Sequence, residues 1–112
     1  MLNSLSLNKV AVIVNLSHLT SLTKLSLTEC HLESIEFVRQ LVNLEYLDVS
    51  GNVISSMEPV RACVQLNYLN LSRNLLWNTN ELQVLQSMRH LVHFLINENE
   101  FTRSEEERIN AH

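Results

Sequence analysis

The 112 residues are enough for one domain and no more, since either half would be too small to bury a core of its own. Hydrophobic residues make up 46% of the chain, the net charge is −4, and the eight Lys and Arg are scattered singly, so no basic stripe is offered to nucleic acid. No apolar run has the length of a membrane span, and one glycine with one proline is too little turn chemistry for a hairpin-rich all-β fold.

In chain order, the first element is a short apolar alternation, Leu2, Leu5, Leu7, Val10 and Val12. A fuller pattern begins at Leu22-x-x-Leu25-x-Leu27-x-x-Cys30-x-Leu32. It recurs as Leu44-x-x-Leu47-x-Val49-x-x-Asn52-x-Ile54, then Leu66-x-x-Leu69-x-Leu71-x-x-Asn74-x-Leu76, then Leu91-x-x-Phe94-x-Ile96-x-x-Asn99-x-Phe101. Successive copies start 20, 22, 22 and 25 residues apart. The alternation at the fourth and sixth positions predicts one short strand per copy, with the residues between them facing the other side. A side-chain amide at the ninth position, where the chain turns, can bond backbone groups that no strand ladder serves. Asn52, Asn74 and Asn99 therefore predict a structural ladder, with Cys30 as a small substitute in the same slot. Val10 cannot serve there, which marks the first copy as an irregular end coil.

Between the strands, apolar residues recur every third position. Leu32, Ile35, Val38, Leu41 and Leu44 form one such run, and Ile54, Met57, Val60, Cys63 and Leu66 another. That spacing predicts 3₁₀ or short helical turns with one face inward. The third return is longer. Asn80 followed by Gln83 reads as an N-cap with a reaching amide, and Leu82, Leu85 and Met88 line one face, so an α-helix is expected there. Beyond the repeats, Thr102-x-x-Glu105 and Ser104-x-x-Glu107 are capping boxes. The expected organisation is a repeat domain over 1–101 and an acidic capping helix or tail over 102–112.

The consensus L-x-x-L-x-L-x-x-N/C-x-L is the leucine-rich-repeat pattern. The 22-residue period with threefold returns resembles the short subclass typified by a regulatory subunit of protein phosphatase type one, to which dynein light chain one is similar. The resemblance covers residues 2–101. It implies a right-handed α/β solenoid of about five coils, with a short parallel sheet on the concave face and 3₁₀ or α segments on the convex face. It also implies a protein partner on the concave sheet, so the expected function is a protein-binding scaffold or adaptor. The alternative is a structural segment of a longer repeat protein, associating through its open ends, including self-association through the N-terminal coil.

Stacking the coils places Lys24, Tyr46, Tyr68 and His93 in one column and Asp48, Asn70 and Leu95 in the next. With Arg73 these are the expected protein-binding residues, an aromatic centre inside a polar rim. Packing within the sheet is the competing use of such a column. No catalytic residues are expected: His93 lies two coils from Asp48, and one glycine cannot make a phosphate loop. His90 and His93 lack a third ligand at a recognised spacing, so neither metal nor cofactor is expected. Arg89 and His90 instead suit the end of the preceding helix. Cys30 and Cys63 fall on inward positions and read as small buried residues. Asn15-Leu16-Ser17 and Asn70-Leu71-Ser72 match a glycosylation acceptor by coincidence in an Asn- and Ser-rich chain. Two cysteines are too few for a secreted disulfide framework, and Val10 to Val14 is too short for a signal-peptide core. The expected location is inside the cell, in the cytoplasm, with nuclear and cytoskeletal sites left open.

Overall fold

The computed structural model describes residues 1–13 and 15–101. Five strands, β1 (Ser4–Asn8), β2 (Lys24–Thr28), β3 (Tyr46–Asp48), β4 (Tyr68–Asn70) and β5 (His93–Leu95), form one parallel sheet in sequential order. Each strand pairs with the same repeat position of the next, as in Leu25↔Leu47, Leu47↔Leu69 and Leu69↔Phe94. Equal register follows from equal burial demand. A slip of one residue would turn Leu47 and Val49, both wholly buried, to the outside.

The returns solve their own hydrogen bonding. In the second coil Val38 donates its N–H to Ile35, Leu41 to Val38 and Leu44 to Leu41, at 2.9–3.2 Å. The third coil repeats this through Met57, Val60, Cys63 and Leu66. Every third residue thus faces the core and closes a 3₁₀-type turn at once. Regular 3₁₀ helix spans Glu36–Gln40 and Glu58–Ala62.

The third return differs from the α-helix expected of it. Thr79–Ser87 is also 3₁₀, and its N-cap is Asn78, whose side chain accepts the Asn80 N–H. The reason is visible in the spacing of Leu82, Leu85 and Met88, which is the three-residue period of the other returns. Val84 and Met88 are buried, while Leu82 and Leu85 are half-buried. Arg89 and His90 follow its C-cap, Met88.

At the corner after each strand, the asparagines reach back one coil. Asn74 Nδ2 donates to Val49 of the preceding coil and to Leu71 of its own, both at 3.1 Å, while its Oδ1 accepts Ile54 N–H at 3.0 Å. Asn52 makes the same set and accepts both Cys30 and Leu32 N–H groups. Asn99 repeats it towards Leu71, Ile96 and Leu76. Cys30 fills the slot in the second coil, its Sγ 3.3 Å from the Thr28 carbonyl.

One residue before each slot the backbone is left-handed: Lys9, Glu29, Gly51, Arg73 and Glu98 have φ between 54° and 72°. A non-glycine residue there costs about 1–2 kcal/mol. Each of the first four donates its N–H to the next coil, at 2.9–3.2 Å, which offsets the strain. The outer coils are less enclosed, with Leu5, Leu7, Phe94 and Ile96 only half-buried. Among the described residues no helix is long and apolar enough to cross a membrane. The expected capping segment, 102–112, lies outside the described residues.

Candidate functional site

The strands are two-faced because successive side chains alternate. With positions four and six inside, positions three and five form two columns on the opposite face, exposed at Lys24, His93 and Leu95 and half-buried between them. Register places Lys24, Tyr46, Tyr68 and His93 side by side, and next to them Ser26, Asp48, Asn70 and Leu95.

The first column is in continuous contact. Lys24 Nζ lies 4.8 Å from the centre of the Tyr46 ring, a cation–π distance. Tyr46 and Tyr68 stack with centroids 4.3 Å apart and planes 6° from parallel. His93 continues the row, tilted by 52° at 6.1 Å from Tyr68. Burial, then the neighbouring Tyr68 and Asp48, pushes the Tyr46 phenol above its usual range. The Tyr46 phenol is therefore a neutral donor and acceptor at physiological pH. Because the ring faces cover one another, the column presents ring edges and hydroxyls outward.

In the second column Asp48 accepts Ser50 N–H at 3.0 Å. Asn70 Oδ1 accepts both the Ser72 N–H, at 3.0 Å, and the Ser72 hydroxyl, at 2.6 Å. Each therefore shapes the turn behind its strand while holding its side chain on the face. Leu95 is 38% exposed at the end of this column.

Seven of the eight residues expected at the binding face are thus brought together on the sheet. Arg73 stands apart, three residues past β4 in the left-handed corner. There its guanidinium meets Glu29 at 3.4 Å, and Lys9 approaches the same carboxylate at 3.8 Å. Glu29 and Arg73 belong to the second and fourth coils. They meet because Gly51 between them has no side chain: a Cβ there would lie 2.9 Å from Glu29 Cγ and 3.3 Å from Arg73 Nη2. Lys9, Ala11, Glu29, His31, Gly51 and Arg73 line the resulting corner cleft, of about 540 Å³.

Two features had little sequence signal. Glu81 reaches from the third return to the second, accepting the Ser56 hydroxyl at 2.6 Å and Met57 N–H at 3.0 Å. Val53, Leu75 and Trp77 are exposed just past the ladder corner. Their only trace in the sequence is that they are apolar at positions the repeat leaves free.

Both cysteines are buried and free. Burial pushes the Cys63 thiol up to about 12, so it stays protonated and unreactive at neutral pH. Among the described residues no group of three or more His, Cys, Asp or Glu side chains could hold a metal ion.

A sequential parallel sheet, 3₁₀ returns and a ladder of buried asparagines define the chain as a leucine-rich-repeat solenoid. Among solved structures it is similar to an internalin (inlF) from Listeria monocytogenes, with a TM-score of 0.76 and 30% identity over 88% of this chain. An internalin C2 (inlC2) from the same species gives a TM-score of 0.66 and 20% identity over 84% of this chain. The chain spans 30% and 43% of those two structures. No protein-family model and no curated protein matches it.

Proposed function

We propose that the chain is a protein-binding scaffold whose concave sheet face holds a partner through Lys24, Tyr46, Asp48, Tyr68, Asn70, His93 and Leu95, with Arg73 at the rim. One observation carries this reading: an unbroken row of aromatic rings lies beside an exposed leucine on the sheet face. Tyrosines held rigid by stacking lose little entropy on binding, and an exposed leucine contributes nothing to the core behind it. Packing alone accounts for the stacked tyrosines but not for Leu95. Binding rather than catalysis is the role taken here, in keeping with two cysteines sealed in the core. On this proposal the chain is of the 22-residue subclass, divides into a repeat domain over 1–101 and an acidic segment over 102–112, and works inside the cell.

Capture from cell extract with the intact chain, with Tyr68→Ala and with Gln65→Ala tests it. Tyr68→Ala should weaken the captured partner by about 2 kcal/mol while leaving the unfolding midpoint nearly unchanged. Gln65, exposed on the return side, should be silent. If Gln65→Ala weakens binding and Tyr68→Ala does not, the partner uses the outer face.

A second reading, association through an open end, is favoured by Leu2, which is 47% exposed beside the outer edge of β1. Unpaired strand edges invite pairing with another chain. Leu2→Glu would then reduce self-association measured by light scattering, and Tyr68→Ala would not.

A further inference from the structure

We infer that the partner segment on the sheet face is basic: it pairs a lysine or arginine with Asp48 and rests an apolar side chain on Leu95. This deepens the binding role proposed above and rests on it.

The inventory of charges leads there. Among the described residues, most cations are already engaged. Arg39 is 2.8 Å from Glu36, Arg61 is 2.7 Å from Glu58, and Lys9 and Arg73 share Glu29. Lys24, the one cation on the sheet face, is drawn over the Tyr46 ring. Among the described residues Asp48 has no ion partner. Its cross-strand neighbours in register are Ser26 and Asn70, both neutral. Asn70 spends its carbonyl oxygen on Ser72 and turns its amide to the Tyr68 hydroxyl, so it adds no charge to the face. Glu45, exposed one residue before β3, and Glu98, exposed at the corner beyond β5, add to the acidic side of the balance.

An acidic partner would bring like charge against Asp48 and gain only a lysine already held by an aromatic ring. A cationic partner gains a carboxylate without an ion partner and phenol hydroxyls that can accept its N–H groups. Asp48 and Leu95 stand in one column two strands apart, roughly 10 Å at the usual strand spacing. A polyproline-II segment rises about 3.1 Å per residue and returns to the same face every three residues, so a basic residue and a leucine separated by two others match both points.

The probes are therefore acetyl-Arg-Ala-Ala-Leu-amide, its Glu-Ala-Ala-Leu twin and its Arg-Ala-Ala-Ser twin, titrated into the whole chain and followed by NMR. The arginine–leucine peptide should shift the ring signals of Tyr46, Tyr68 and His93 and the methyl signals of Leu95 at millimolar concentration. Asp48→Asn, which keeps the acceptor for Ser50 N–H, should weaken it about threefold, an exposed ion pair's worth. Replacing leucine by serine in the peptide should weaken it about fivefold or more. Equal or stronger binding of the glutamate peptide on the same face overturns the basic-partner inference alone. So does an Asp48→Asn variant that binds the arginine peptide unchanged, or an absence of shifts at millimolar peptide. Shifts confined to the returns, around Gln65, overturn the sheet-face reading itself.

Discussion

Replacing Asn74 with alanine removes one buried partner, not four. Of the groups its amide serves, the Val49 carbonyl keeps the Asn52 amide at 2.8 Å and the Leu71 carbonyl keeps that of Asn99 at 2.9 Å. The Ser72 carbonyl keeps the Gly51 N–H at 3.1 Å. Only the Ile54 N–H loses its acceptor outright. Asn52 is different, because its Oδ1 accepts from both Cys30, at 2.9 Å, and Leu32, at 3.0 Å. An orphaned buried N–H costs about 1–3 kcal/mol, so Asn74→Ala should lose about 2 kcal/mol and Asn52→Ala about 4 kcal/mol. Urea unfolding followed by circular dichroism gives the two values. Amide exchange at Ile54 in one variant, and at Cys30 and Leu32 in the other, locates the loss. If Asn74→Ala costs as much as Asn52→Ala, or if both cost under about 0.5 kcal/mol, counting orphaned donors is the wrong basis for the ladder's strength.

Two further outcomes follow from the geometry. Gly51→Ala should destabilise by about 1–2 kcal/mol from its positive φ alone, and by more while Glu29 and Arg73 crowd the new Cβ. The excess should vanish in a Glu29→Ala, Arg73→Ala background, and an unchanged excess would mean that the notch is not the cause. Cys63 should resist thiol reagents until the chain unfolds. Its folded value lies above the ordinary thiol value of 9.0, at about 12, so its contribution to stability is complete below pH 9. As the pH rises from there towards 12 the unfolded chain loses the proton first, and that contribution declines. The stability difference between the intact chain and Cys63→Ala should shrink over that interval, and a flat difference would contradict the buried thiol.

The ladder slots and the columns were legible because both rest on burial, which recurs at fixed positions and leaves an apolar or amide signature. Leu47 and Asn52 need no neighbour to be read. The left-handed corners were hidden, since Lys9, Glu29, Arg73 and Glu98 are poor indicators of positive φ. At Lys9, Glu29 and Arg73 that conformation is held by an N–H bond to the next coil, a tertiary demand. The turn that swings Arg73 towards Glu29 was hidden for the same reason. The third return is 3₁₀ rather than α because Asn80 and Gln83 only imitate a cap, while the three-residue spacing beside them carries the helix type. Which residues touch a partner is a question of surface chemistry, and only the aromatic column gave it a sequence trace.

The Gly51 notch bears on how such an array comes apart. In a solenoid each coil senses only the coils beside it, so opening can advance from either end one unit at a time. The Glu29–Arg73 bridge ties the second coil to the fourth and adds a second-neighbour coupling. It is worth about 0.2–1 kcal/mol as an exposed pair, yet any opening of the third coil that separates its flanks must break it. Fraying would stall at the boundaries of this three-coil block, whose amides would then exchange together, while the first and fifth coils exchange on their own.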